Sequence, residues 1–120
     1  MRRLLLTFLA LVIAGCGSDK VLISCTASDV PAVALTVRDG QTAAVVLSPK
    51  TVIWTRHGFP PDTIATSSEL LFIGDKPGTY DILVSASGYA NWATNDIVAE
   101  SDDAGCHPVT VRLTALLQKL

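Results

Sequence analysis

Apolar and polar residues alternate with a period of two through much of the chain. In Val33-Ala34-Leu35-Thr36-Val37-Arg38 the odd positions are the larger apolar ones, and Asp39-Gly40 then supplies a turn. Val109-Thr110-Val111-Arg112-Leu113-Thr114 repeats the pattern, and the stretch from Tyr80 to Ala86 puts Tyr80, Ile82, Val84 and Ala86 on one face. Successive side chains of a strand point to opposite faces, so these stretches predict half-buried antiparallel strands with the apolar face inward. Thr51 to Thr55 and Glu69 to Ile73 predict further strands with less regular alternation. Ser48-Pro49-Lys50, Gly58-Phe59-Pro60-Pro61-Asp62, Lys76-Pro77-Gly78-Thr79 and Ser101-Asp102-Asp103-Ala104-Gly105 punctuate the run, and Pro77-Gly78 fits the centre of a type II turn. Short strands with turn signals about every ten residues predict an all-β antiparallel sandwich of about seven strands over residues 29–120. At its end, Leu116, Leu117 and Leu120 are placed to pack back on the body.

One stretch departs from this pattern. Met1-Arg2-Arg3 precedes an apolar run from Leu4 to Ile13, interrupted only by Thr7, and Ala14-Gly15-Cys16 follows. A basic start, a short apolar segment and small residues form a helical, removable export signal. A helix of this length spans roughly 15 Å, about half of a bilayer's hydrocarbon core, which excludes a transmembrane role.

The quartet Ile13-Ala14-Gly15-Cys16 resembles the lipobox of bacterial lipoproteins. The resemblance implies a signal peptide over residues 1–15, a diacylglyceryl thioether on Cys16, and cleavage just before that residue. Acyl chains such as palmitate contribute about 0.8 kcal/mol per buried CH₂, so two or three of them anchor a protein stably. The competing reading is an ordinary secretory signal cut near Ala14. Gly17 stands where an Asp would resemble an inner-membrane retention signal, so the resemblance implies the outer membrane in a Gram-negative envelope. Residues 16–28 then form the lipidated cysteine and a short tether.

Composition adds exclusions. The 120 residues are 49% apolar and 17% charged, too apolar for a disordered chain. Without Arg2 and Arg3, seven basic groups face eleven acidic ones, which gives no electrostatic reason to bind nucleic acid. Of three cysteines, Cys16 is accounted for by the lipid, leaving Cys25 and Cys106 as an even pair in an oxidising compartment. A disulfide between them closes a loop of about 80 residues, worth about 4.5 kcal/mol on the chain-entropy account. A zinc or copper site built from these cysteines and the adjacent His107 is the competing reading; it needs at least one more convergent ligand, and His57 is the one available.

The segment Gly78-Thr79-Tyr80-Asp81-Ile82-Leu83-Val84-Ser85-Ala86-Ser87-Gly88-Tyr89 resembles the core motif of carboxypeptidase regulatory-like domains, which are transthyretin-like and immunoglobulin-like β-sandwiches. Gly78 serves the turn, Tyr80 to Ala86 alternate into the core, Gly88 leaves the strand at positive φ, and Tyr89 folds over the exit. The resemblance extends over Val33 to Leu113 and includes Cys106-His107. It departs at Gly40 to Lys50, where Gln41-Thr42-Ala43-Ala44-Val45-Val46-Leu47 replaces the family's proline-containing turn and leaves the first hairpin's register open. In enzymes that carry it, this domain is an appendage without a catalytic centre.

The residues agree with a non-enzymatic module. The chain has no Gly-x-Ser-x-Gly, no His-Glu-x-x-His and no glycine-rich phosphate loop, so no catalytic residue, cofactor or metal is expected. His57 reads as a loop histidine and His107 as a structural one; Glu100, Asp102 and Asp103 lack calcium-loop spacing and read as a solvated turn. Phe59 and Trp92 are the candidate binding-loop residues, where exposed aromatics would meet a protein or a sugar ring. Against this, Trp54 reads as core, with Tyr89 and Trp92 capping it. The expected function is a lipid-anchored envelope protein, held to the membrane through its N-terminal lipid, with an accessory or protein-interaction role; the alternative is carbohydrate binding.

Overall fold

Seven strands account for the alternating segments: β1 (Val33–Asp39), β2 (Lys50–Arg56), β3 (Asp62–Thr66), β4 (Leu70–Ile73), β5 (Gly78–Ala86), β6 (Trp92–Ala99) and β7 (Val111–Leu117). The structure, a computed structural model, describes residues 29–120; the signal, the lipobox, Cys16 and Cys25 lie outside the described residues. Among the described residues there is no α-helix, and none that could cross a membrane. The strands form two sheets, ordered β4-β1-β7 and β3-β2-β5-β6.

The inward positions are those the period selects. Val33, Leu35 and Val37 of β1 meet Leu71, Ile73, Ala115 and Leu117 in one sheet and Val52, Tyr80, Ile82, Val84 and Ala99 in the other, forming one buried cluster. The expected all-β sandwich of about seven strands is therefore observed.

Several local expectations are corrected. The sheets are not wholly antiparallel: β1 and β7 pair in parallel, from Val33 opposite Val111 to Asp39 opposite Leu117. Alternation has the same period in both pairings, so it fixes the buried face and not the partner's direction. No first hairpin joins β1 to β2, because the chain crosses between the sheets there; only Arg38 and Val45 form a bridge across the intervening turn. Val46, on this crossing, enters the core. Val109 lies outside β7 and is exposed, and β7 runs on to bury Leu117 while Leu116 and Leu120 stay exposed. Gly78 opens β5 with φ 157° instead of sitting at the centre of a type II turn, and it is Gly88 that takes the expected positive φ, at 86°.

Candidate functional site

The turn from His57 to Pro61 joins β2 to β3 at one end of the four-stranded sheet, and functional side chains gather on both sides of it. On one side is a cleft of about 260 Å³ lined by Trp54, Arg56, Phe59, Pro60, Pro61 and Asp62, with Gly74, Asp75, Lys76 and Tyr80 opposite. Two prolines keep the turn from continuing the strand ladder, since neither has an N–H to donate. Phe59 is 54% exposed, with the Arg56 guanidinium carbon 3.7 Å from its ring centre. A cation over an aromatic face at that distance holds both groups in place.

Gly78 explains why Arg56 can lie there. A Cβ at position 78 would stand 2.8 Å from Arg56 Cδ and 2.9 Å from its Cγ, so a bare glycine leaves the path of that side chain open. Arg56 Nη1 also donates to the Pro77 carbonyl at 3.4 Å. The floor of the cleft is aromatic: the rings of Trp54 and Tyr80 lie 5.7 Å apart and tilted by 45°. Burial pushes the Tyr80 hydroxyl pKa up, and that hydroxyl donates to the Lys76 carbonyl at 2.6 Å. The Trp54 indole Nε1 is buried and finds no hydrogen-bond acceptor among the described residues. A buried donor left unpaired is destabilising by about 1–3 kcal/mol.

On the other side of the turn, His57 Nε2 lies 3.1 Å from both carboxylate oxygens of Asp81 and 3.7 Å from Asp96 Oδ1. A β-bulge builds this group: between the pairs Tyr80–Ile97 and Ile82–Thr94, Asp81 alone faces both Asn95 and Asp96. Asp96 takes φ 59° there and its backbone N–H donates to Asp81 Oδ1 at 3.0 Å. That N–H, followed by His57, holds the Asp81 carboxyl below its ordinary pKa.

The remaining candidates fall elsewhere. Trp92 lies in β6, not in a loop, half-buried against the core, as does Trp54 in β2. Tyr89 folds over the strand exit as expected, and its hydroxyl donates to Asp39 Oδ2 at 2.8 Å. Asp102 works within its own loop, accepting the Cys106 N–H at 2.9 Å with His107 Nδ1 at 3.6 Å. The residues missed from the sequence are Arg56, Tyr80 as cleft floor, Asp81 and Asp96; the Asn95-Asp96 pair inside a strand was the available sign of a bulge. Comparison with known families and with curated proteins finds no match: no family model and no curated protein aligns with the chain.

Proposed function

We propose that this chain is a cell-envelope lipoprotein, anchored through lipid on Cys16, whose carboxypeptidase regulatory-like β-sandwich is a non-catalytic accessory module that binds another envelope protein. The anchor rests on the lipobox residues Ile13, Ala14, Gly15 and Cys16. The domain reading rests on the Gly78 to Tyr89 motif, whose Tyr80, Ile82 and Val84 are buried as the motif requires. The observation that carries the binding role is the end cleft, where an exposed Phe59 clamped by Arg56 stands over an aromatic floor. Aromatic and arginine side chains are the residue types that dominate binding energy at protein interfaces.

A Cys25–Cys106 disulfide belongs to the same reading. The parallel pairing of β1 with β7 brings the segments that precede them to one end of the sheet, where Thr110 Oγ1 donates to the Pro31 carbonyl at 2.7 Å. Cys25 and Cys106 each lie a few residues upstream of that contact.

Carbohydrate binding is the second reading, favoured by the Trp54 and Phe59 side chains that line the same cleft with Asp62, Asp75 and Lys76. Stacking on a flat ring with flanking polar groups suits a sugar. The anchor is tested by feeding cells a clickable fatty acid. Cys16→Ser is expected to abolish labelling of the chain; labelling that survives the substitution overturns the lipoprotein reading.

A further inference from the structure

We propose that His57, Asp81 and Asp96 form a binding site for a divalent transition-metal ion of the zinc type. One imidazole nitrogen and two carboxylates are the ligand types that Zn²⁺ accepts, and three protein ligands leave the fourth position for water or for a ligand from outside. One donor atom from each residue falls within 4.8 Å of the others. Ligand atoms around a tetrahedral ion with bonds of about 2.0–2.1 Å are about 3.3–3.4 Å apart. The separations of 3.1 Å and 3.7 Å from His57 Nε2 to the two carboxylates bracket that spacing.

Main-chain bonds preset the three residues. The His57 N–H donates to the Thr79 carbonyl at 2.8 Å, and the Asp96 N–H is held by Asp81 Oδ1. Asp81 Oδ1 is thereby occupied, and Oδ2 is left to meet the ion beside Nε2. Charge points the same way: among the described residues neither carboxylate has a Lys or Arg ion-pair partner. Two carboxylates set on one imidazole thus lack the positive charge that a dication supplies. The site is open on the outer face of the sheet, where Asp81 also lines a shallow depression of about 270 Å³ with Thr55 and Asn95. Because His57 begins the turn that carries Phe59, an ion here would pin that turn to β5 and β6.

The test titrates ZnCl₂ into the full chain in detergent after EDTA treatment, followed by calorimetry, with CoCl₂ as a spectroscopic probe of tetrahedral geometry. One equivalent is expected to bind, with visible Co²⁺ bands of a tetrahedral site and a rise in melting temperature. His57→Gln and Asp96→Asn should each weaken zinc binding by about ten-fold or more, since loss even of supporting groups weakens metal sites by about 10–100-fold. Both side chains are at the surface, Asp96 largely exposed and His57 about half, so metal-free melting of the variants should stay close to that of the parent. His107→Gln, at the distant Asp102 pair, should leave the affinity unchanged. Equal affinity in parent and variants, loss confined to His107→Gln, or no binding of either metal overturns the site.

Discussion

Asp39 is only 5% exposed at the end of β1, and its carboxylate is fully engaged: Oδ1 accepts the N–H groups of Gln41 at 2.8 Å and Thr42 at 3.0 Å, and Oδ2 accepts the Tyr89 hydroxyl. The Thr42 and Gln41 N–H groups, then Tyr89, hold its pKa down from 3.8 to about 2. A carboxyl depressed on folding contributes stability that is fully present above its unfolded pKa and is lost as pH falls toward the folded value. Melting temperature should therefore fall between pH 5 and pH 2, and Asp39→Asn should lower stability at neutral pH while flattening that acid limb. An acid limb of equal slope in the variant would remove Asp39 from this role. The turn at Asp39-Gly40 was legible in the sequence; the tie to a tyrosine 50 residues away was not, because local alternation carries no information about distant partners. Lys50 makes the same point. It belongs to a turn signal, yet it is 1% exposed, with Nζ donating to the carbonyls of Val46 at 2.8 Å and Ser67 at 3.2 Å, and burial lowers its pKa.

Between β4 and β5 the chain reverses at Gly74, which adopts φ 67° with the Tyr80 ring packed against it. An added Cβ would stand 2.5–2.9 Å from the Tyr80 hydroxyl and ring carbons, and Tyr80 is itself a core residue that cannot swing aside freely. Gly74→Ala combines an unfavourable backbone conformation with overpacking, and a loss of about 2–4 kcal/mol is expected in chemical denaturation. A loss below about 0.5 kcal/mol would show that the turn relaxes without disturbing Tyr80. The strongest strands were readable because they are buried on one face and keep phase throughout. The edge strands of the four-stranded sheet were not: β3, Asp-Thr-Ile-Ala-Thr, buries little, and β6 changes phase in its middle. Trp92 and Thr94 are the more covered residues before the bulge, whereas Ile97 and Ala99 are after it. A one-residue phase change erases the period-two signal over a strand this short. The same bulge creates the His57–Asp81–Asp96 group, so the cluster was hidden for the reason that the strand was.

Across the whole molecule, the cleft lies at the end of the sandwich where the described chain begins, since the Ala32 N–H donates to the Gly74 carbonyl and Gly74 lines the cleft. If Cys16 holds the lipid, residues 17–28 can separate this end from the membrane by at most about 40 Å when fully extended. A partner that meets the cleft is then itself held at the envelope surface. The parallel β1–β7 pair sets this geometry by bringing the first and last strands side by side. The sandwich class was legible, because turn spacing and alternation are local; the order of strands was not, because pairing across the 70-odd residues between β1 and β7 is decided by the packing of both sheets. The proposed binding role is tested most directly by placing a photo-reactive phenylalanine analogue at position 59 of the full chain and irradiating intact cells. One discrete protein adduct is expected, lost when Arg56→Ala is added and absent when the analogue replaces Thr114, an exposed position in β7 of the other sheet. Equal adduct patterns from positions 59 and 114, or binding to a glycan panel with no protein adduct at position 59, would contradict it.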